Sequence, residues 1–301
     1  MKRVQTRELK QADIPAAAQV LASSFNQSFA QHGLPKPFEK TSKAQALLEL
    51  YYALETTDCF VTECGGQIVG SGFLHHTRTS AGIGPISVAP EMQGAGVGSS
   101  VMESILRAGS RCPSLRLTQD AFNADSFSFY ARLGFVAKRV VASLERTPSQ
   151  RIAQFGARLD GLEIRPMKAE DLDSVARIDR ETTGIDRPDD LEFLSKLHGQ
   201  TVATRNGRVI GFLCALVDSD EIFVGPGGAK ETPVVRALLE AATLEAGGRT
   251  LRARLPSDNV DLIEALLGRG FRTTGLEILM VRGNWERPSG VDLLALAPES
   301  L

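Results

Sequence analysis

Three glycines alternate with other residues in the segment Gln93–Gly98, directly after an apolar stretch and before an amphipathic one. Gly94, Gly96 and Gly98 lack Cβ atoms, so the backbone can turn tightly there and bring its N–H groups close to a ligand. A helix that follows aims its positive N-terminal end at the same place. This pattern predicts a pyrophosphate site that needs no basic side chain. Glycines at a helix start also serve close packing, which is the alternative for the loop taken alone.

The spacing of the loop excludes two common nucleotide-binding motifs. No Gly-Lys-Ser or Gly-Lys-Thr follows the glycines, so the segment is not a Walker phosphate loop. The third glycine comes one residue too early for the G-x-G-x-x-G dinucleotide fingerprint, and no strand–helix–strand unit opens the chain.

A second group of residues downstream has the pattern Asn123-x-x-Ser126-x-x-x-Tyr130-x-x-x-Gly134-Phe135. The glycine loop, in the form Q-x-x-G-x-G after a strand, resembles the acyl-CoA loop of the GNAT acetyltransferase superfamily, and the downstream pattern looks like that family's closing motif. The resemblance covers nearly all of residues 1–146, and a weaker second copy covers about 160–283. It is specific for the superfamily and says little about the substrate.

The resemblance implies an acetyl-CoA site in the first copy. Backbone groups of the strand before the loop would pair with the pantetheine arm, the loop amides would hold the pyrophosphate, and Asn123 would hydrogen-bond the pantetheine. The cofactor-binding residues implied by the resemblance are Ile86, Ser87, Val88, Gln93, Gly94, Ala95, Gly96, Val97, Gly98, Ser99, Asn123, Ser126 and Tyr130.

Tyr130 would then place its hydroxyl near the thioester sulfur. The departing CoA thiolate resembles a free thiol, whose reference pKa is near ~8.5, against ~10 for tyrosine. A positioned tyrosine can therefore hydrogen-bond to or protonate the leaving group, which often contributes ~10²–10⁴-fold to the rate. The alternative is a core tyrosine on an amphipathic helix. The chain has only three tyrosines, so the place of Tyr130 within the motif favours the catalytic role.

The sequence leaves the general base open. A primary amine has a pKa near ~10.4 and is mostly protonated at neutral pH, so some group must accept a proton, often a carboxylate or a histidine. Many GNAT enzymes place a glutamate on the strand before the loop, but the stretch GIGPISV has no acidic residue. The candidates are Asp120, after a predicted strand, and His75 or His76, which strand alternation puts on opposite faces. The alternative for Asp120 is a helix-capping or turn residue, and for either histidine a surface or hydrogen-bonded residue. A reaction without a dedicated base is the further alternative, since orienting two bound reactants can supply ~7–11 kcal/mol.

The elements that position these residues follow from hydrophobic periodicity and turn signals. In the first copy we expect strands at 4–8, 59–63, 67–78, 83–88, 115–118 and 135–145. We expect helices at 14–25, 43–54, from the loop to 107, and at 126–133, the first of them capped by the Asp13 carboxylate.

An internal repeat lies behind this order of elements. RELKQAD, from Arg7, recurs as RPMKAED at an offset of 158, and both GGQIVG and Gly84-Pro85 recur at 141 as NGRVIG and Gly225-Pro226. Asn123 and the Gly-Phe pair after Tyr130 recur at an offset of 136. Four landmarks in one order indicate two related domains.

The second copy lacks the chemistry of the first. Its phosphate loop has become GPGGAKETPVV, and Leu266 stands where the first copy has Tyr130. The first copy also has 17 extra residues around AQHGLPKPFEK, where GNAT proteins usually build the acceptor wall. We expect a catalytic domain at 1–150, a degenerate domain at 160–285 that packs against it, and a tail at 286–301. The implied fold is α/β (an α+β mixed sheet): two tandem GNAT-like domains, each a mostly antiparallel twisted sheet, splayed at its central parallel strand pair and flanked by helices.

Composition narrows the class of function. A net charge of -2 gives no reason to expect nucleic acid, no apolar run suggests a membrane span, and the four cysteines lack metal-type spacing, which favours a reducing, cytoplasmic location without a metal. We expect an N-acetyltransferase that moves an acetyl group from acetyl-CoA to a small-molecule or peptide amine by direct attack, with Tyr130 as general acid. The alternative is a non-catalytic acyl-CoA-binding sensor or regulatory module.

Overall fold

The computed structural model describes residues 4–148, 159–197 and 199–295 of the 301-residue chain. Within these residues a single mixed sheet of 14 strands runs through both copies of the repeat, and eight α-helices pack around it. No helix in the described part of the chain is long and apolar enough to cross a membrane. Residues 149–158, at the expected boundary between the two domains, lie outside the described residues.

The first copy contains seven strands and four α-helices. The strands are β1 (Val4–Glu8), β2 (Thr57–Cys64), β3 (Gln67–His76), β4 (Ala81–Ile83), β5 (Ser87–Val88), β6 (Ser114–Asp120) and β7 (Val136–Arg146). The helices are α1 (Ile14–Gln31), α2 (Thr41–Ala53), α3 (Val97–Ala108) and α4 (Ala124–Arg132). The expected order of elements is confirmed, and α1 is longer than its apolar periodicity predicted.

The second copy repeats this order. Its strands are β8 (Leu162–Pro166), β9 (Thr201–Arg205), β10 (Arg208–Val217), β11 (Glu221–Ala229), β12 (Thr250–Pro256), β13 (Arg272–Gly283) and β14 (Val291–Leu293). Its helices are α5 (Leu172–Thr183), α6 (Pro188–Ser195), α7 (Thr232–Glu245) and α8 (Val260–Leu267). β14 lies in the tail to which the sequence assigned no structure.

The repeat is visible in side-chain detail at the start of each copy. Arg7 donates to Asp13 at 2.6 Å, and Arg165 donates to Asp171 at 2.7 Å. In each copy the same carboxylate also accepts, at 2.8 Å, the backbone N–H of the lysine three residues before it. The prediction that Asp13 caps the first helix with its carboxylate is wrong, because the arginine and this backbone N–H occupy the carboxylate instead.

The predicted strand at 83–88 is two short strands, and the sheet opens between them. β4 pairs in parallel with β6 through Ala81↔Leu115 and Gly82↔Arg116. After Ile83 that pairing stops, and β5 pairs only with β3. The splay that the resemblance implied for the central parallel pair is therefore confirmed. It leaves a gap between β5 and the C-terminal half of β6.

The two copies exchange their last long strands. The sheet order is β1-β2-β3-β4-β6-β13-β7-β12-β11-β10-β9-β8. β13, from the second copy, thus lies between β6 and β7 of the first, and β7 lies between β13 and β12 of the second. Each copy supplies a strand that the other needs, so the sheet is continuous across the chain.

Candidate active site

The glycine loop turns the chain sharply into α3. Gly94 and Gly96 have φ angles of 77° and 84°, a region that glycine enters without the steric cost other residues meet. The first hydrogen bond of the helix runs from Ser100 N to Gly96 O at 3.0 Å. The amides of Val97–Ser99 precede that bond and have no acceptor within the helix. They form a group of N–H donors at the positive helix end.

Gly98 is not required by the fold. Its φ lies outside the left-handed region, and a Cβ placed on it would meet Val88 Cγ2 at 3.6 Å and Phe129 Cζ at 3.8 Å, which are ordinary van der Waals distances. The contact with Phe129 also shows that α4 lies against the N-terminal end of α3. A bare backbone at Gly98 therefore leaves room for a ligand between the loop and α4.

Helix α3 is held close to the sheet by small residues of β3. A Cβ on Gly70 would come within 2.7 Å of Val97 Cγ1, and one on Gly72 would overlap Val101. The helix can therefore approach β3 only because these positions are glycines. This packing fixes the free amides at the end of β5.

The edge of β5 that faces the gap is unpaired in the described part of the chain. Ala89 N donates to Val69 O of β3 at 2.8 Å, and Ser87 Oγ lies 2.8 Å from Ser71 Oγ. Because backbone groups alternate along an antiparallel strand, Ser87 also turns its N–H and C=O toward β3. Ile86 and Val88 then turn theirs toward the gap, as the resemblance implied for the pantetheine arm.

Asn123 begins α4 at the far side of the gap. Its Oδ1 accepts the backbone N–H of Ser126 at 2.9 Å and caps the helix, while its own N–H donates to Asp120 O at 2.9 Å. With Oδ1 occupied, the Nδ2 group is the donor available to a pantetheine carbonyl.

Tyr130 lies half-buried on α4 among aromatic rings. Its ring centroid is 5.4 Å from that of Phe129 and 6.1 Å from that of Phe135. Burial raises the pKa of its hydroxyl to about 12. Among the described residues, none forms a hydrogen bond with this hydroxyl. The contacts of its ring with Phe129 and Phe135 hold the side chain in place, and its hydroxyl stays protonated at neutral pH.

Asp120 is the last residue of β6, where the gap is open. Its carboxylate makes no ion pair or side-chain hydrogen bond within the described residues. Burial, and next the negative charge of Glu277, raise its pKa to about 6, against the opposing effects of Arg254 and His32. At pH 7 the carboxylate is ionised and basic enough to accept a proton. Extending the β4–β6 register of Gly82↔Arg116 by four residues places Asp120 level with Ile86 across the gap.

The wall beside Asp120 comes from the C-terminal end of α1. The ring of Phe122 lies 5.2 Å from that of Phe29 and 4.6 Å from that of His32. His32 lies within AQHGLPKPFEK, the region in which an acceptor wall was expected, and Phe29 directly precedes it.

His75 does not face the gap. It is 2% exposed, and its Nε2–H lies 3.0 Å from both carboxylate oxygens of Asp190 in α6 of the second copy, while Thr57 Oγ1 lies 2.8 Å from its Nδ1. Both ring nitrogens are engaged, by Thr57 of β2 and Asp190 of α6, and His75 therefore lies in the contact between the two copies. His76 turns outward and lies 2.7 Å from Asp58.

Comparison with known families agrees with this geometry. Residues 55–137 and 175–291 each match a family model described as an acetyltransferase (GNAT) domain. Together the two matches cover more than half of the chain. The chain belongs to the GNAT family. It is a tandem GNAT protein, as the resemblance in the sequence predicted.

Solved structures show the same tandem fold. A putative acetyltransferase from Pyrococcus horikoshii is 19% identical, with a TM-score of 0.77, over 98% of this chain and 95% of its own. A GCN5-related N-acetyltransferase from Sphaerobacter thermophilus is 13% identical, with a TM-score of 0.70, over 95% and 98%. A tandem GNAT protein from the clavulanic acid biosynthesis pathway is 15% identical, with a TM-score of 0.63, over 94% and 100%. A search of curated proteins finds no match.

In the second GNAT domain, the gap equivalent to that beside β5 is filled by the protein's own chain. β14 pairs with β11 through Gly227↔Leu293, Gly228↔Asp292 and Ala229↔Val291. At the repeat offset of 141, these β11 residues correspond to Ile86, Ser87 and Val88. On the other side, Leu294 N donates to Arg254 O of β12 at 2.8 Å. The tail thus lies where the first domain leaves its edge open.

Proposed function

We propose that this tandem GNAT protein is an N-acetyltransferase that uses acetyl-CoA and has one active site, in the first domain. The observation that carries the proposal is two sets of backbone groups without a protein partner among the described residues: those of Ile86 and Val88 at the open edge of β5, and the amides of Val97–Ser99 at the start of α3. Asp120 lies on one side of them and α4 on the other. These groups are the donors and acceptors that a pantetheine arm and a pyrophosphate need.

The residues present fit acetyl-CoA. The open edge of β5 offers N–H and C=O groups to the amides of a pantetheine arm, and Asn123 Nδ2 can donate to one of its carbonyls. The loop from Gln93 to Ser99 supplies backbone donors to the pyrophosphate, and the absent side chain of Gly98 allows close approach. When bound, acetyl-CoA supplies the activated acetyl group, and the chain's own residues do the rest.

Asp120 is the residue we propose as general base. A primary amine must lose a proton to attack, and reaching its neutral form at pH 7 costs about 4.6 kcal/mol for a pKa near ~10.4. The raised pKa of Asp120, about 6, makes it a better acceptor than an ordinary carboxylate. As the nitrogen–carbon bond forms and the carbon–sulfur bond breaks, Asp120 takes the proton from nitrogen, directly or through a water.

Tyr130 is the residue we propose as proton donor to the departing sulfur. Its hydroxyl has a raised pKa of about 12, so at neutral pH it remains protonated and able to donate. The free thiol has a reference pKa near ~8.5, below that of the phenol. Hydrogen bonding to the thiolate is therefore the main contribution, and solvent returns any proton that Tyr130 gives up.

We propose that the second domain binds no acetyl-CoA. Its cofactor gap holds β14, its loop lacks the glycines of the first domain, and Leu266 replaces the tyrosine. Its role is to complete the sheet through β13 and to support the site beside β6.

The test is a turnover assay on the full chain. Acetyl-CoA should raise the melting temperature, and release of free CoA should depend on an added amine from a panel of small amines, amino acids and peptides. Tyr130→Phe should lower kcat about 10²-fold with the KM for acetyl-CoA little changed, whereas Tyr52→Phe, an exposed tyrosine of α2, should leave both unchanged. Binding without turnover on every amine would favour the non-catalytic sensor instead. No thermal shift at millimolar acetyl-CoA would overturn the proposal.

A further inference from the structure

Strand β13 of the second domain carries a charged residue next to the proposed base. In the β13–β6 register, Glu277 pairs directly with Asp120, and Ala121 N donates to Leu276 O at 2.8 Å just beyond it. Directly opposed residues of an antiparallel pair have Cβ atoms about 4.5–5.5 Å apart. The neighbour of Asp120 therefore comes from the domain that has lost its own phosphate loop.

Glu277 is fixed by contacts from both domains. Arg254 of β12 donates to its Oε1 at 2.9 Å and to its Oε2, and Ser143 of β7 donates to Oε1 at 2.9 Å. Arg254 Nη2 also donates to Thr118 Oγ1 of β6 at 2.8 Å. Burial acts to raise the pKa of Glu277, but Arg254 and these hydrogen bonds hold it below its ordinary value. Glu277 thus stays ionised while Asp120 titrates.

The charges that face Asp120 come from three elements. Glu277 lies on β13, Arg254 on β12 and His32 at the C-terminal end of α1. The carboxylate of Glu277 disfavours the ionised form of Asp120, whereas Arg254 and His32 favour it. Arg254 and Glu277 form a bidentate pair that is nearly buried, so their positions relative to Asp120 are fixed by the sheet.

We propose that Glu277 and Arg254 of the second domain are positioning residues for the base of the first domain, setting the proton affinity of Asp120 across the exchanged strands. This inference rests on the proposed function, since it assigns Asp120 the role of base. It gives the degenerate domain a chemical contribution in addition to its packing.

The test compares two substitutions with opposite expected signs. Glu277→Gln removes a negative charge and leaves Arg254 unneutralised, which should lower the pKa of Asp120. The acid limb of the pH profile, where kcat/KM rises as Asp120 ionises, should therefore move down by about one pH unit. Arg254→Gln removes the positive charge, so the limb should move up. General destabilisation cannot produce shifts of opposite sign. Asp292→Asn, which breaks a buried carboxylate–arginine pair with Arg139 elsewhere in the interface, should leave the limb in place.

A second readout separates this inference from the proposed function. The carboxyl carbon of Asp120 is followed by NMR as a function of pH in the free, folded full-length protein and in Glu277→Gln. If the titration midpoint of Asp120 is the same in both, the inference is wrong whatever the enzyme does. If the midpoint moves down while the rate profile does not, Asp120 is not the base, and the proposed function fails at that step.

Discussion

Val88 and Ala229 occupy the same position in the two copies of the repeat, yet only Val88 leaves its backbone unpaired toward the gap. Ala229 is paired on both sides, with Gly211 of β10 and with Val291 of β14. The same splayed sheet therefore exists twice, once open and once filled by a strand of the chain itself. This difference, more than the loss of glycines alone, separates a domain that can receive an extended ligand from one that cannot.

Two of the loop glycines, Gly98 and Gly96, should respond differently to alanine. Gly98→Ala should leave the melting temperature unchanged or slightly raised, since the position has ordinary φ and a Cβ there meets its neighbours only at van der Waals distance, and alanine often adds about 0.4–1 kcal/mol at such sites. Its affinity for acetyl-CoA should fall at least about tenfold, because the Cβ fills the room left for the ligand. Calorimetry and thermal unfolding measure the two effects separately.

Gly96→Ala is the matched control for that experiment. With φ at 84°, it should lower the stability of the protein itself, by about 1 kcal/mol. If Gly98→Ala lost stability as Gly96→Ala does, or kept full affinity, the account of the loop would be wrong.

Asp120 should make activity rise with pH and stability fall with it. Its folded-state pKa of about 6 lies above the ordinary value of 3.8. The folded protein therefore binds the proton of the Asp120 carboxyl more tightly than the unfolded chain does. The resulting contribution to the free energy of unfolding is fully present below about pH 4 and is lost as the pH rises through 6. The value of kcat/KM should rise over the same pH range, because the ionised carboxylate of Asp120 becomes the main form there.

The variant Asp120→Asn tests the predicted effects of this carboxylate on activity and on stability. It should lower kcat/KM at pH 8 by about 10²-fold or more, yet raise the free energy of unfolding at pH 8 by on the order of 1 kcal/mol, because the buried charge is gone. Urea unfolding at pH 4 and pH 8 gives the second value. A variant that is less stable at pH 8, or as active as the wild type, would contradict the assignment.

His75→Ala should weaken the junction of the two domains without altering the pH profile. Removing a buried imidazole takes from Asp190 its hydrogen bonds with His75 Nε2, which should cost about 1–3 kcal/mol in urea unfolding. His76→Ala, which loses a partly exposed contact with Asp58 and a 3.7 Å contact with Cys112 Sγ, should cost less than about 1 kcal/mol. A displaced acid limb in His75→Ala would return this histidine to the list of candidate bases.

The sequence predicted the first domain well because its signals are local. The tight turn at Gly94 and Gly96 and the order of strands and helices depend on residues near one another in the chain. The motif spacing placed Tyr130 on a helix beside the loop. The strand at 83–88 was predicted as one piece because its apolar run is continuous, and the break between Ile83 and Ser87 depends on the partner strands.

The features that the sequence missed depend on distant pairing. Glu277 lies on a strand with a common alternating pattern, and nothing local shows that β6 is its neighbour. β14 contains only three residues, and Val291 and Leu293 after Gly290 were its sole signal. His75 was interpreted as a candidate base because its partner, Asp190, lies 115 residues away in the chain.

The stoichiometry of acetyl-CoA binding tests the central claim most directly. Isothermal titration of the full chain should give one molecule bound per chain. The binding should be lost in Gly98→Leu and kept in Lys230→Ala, an exposed position after β11 of the second domain. Two molecules per chain, or one that survives Gly98→Leu, would contradict a single active site in the first domain.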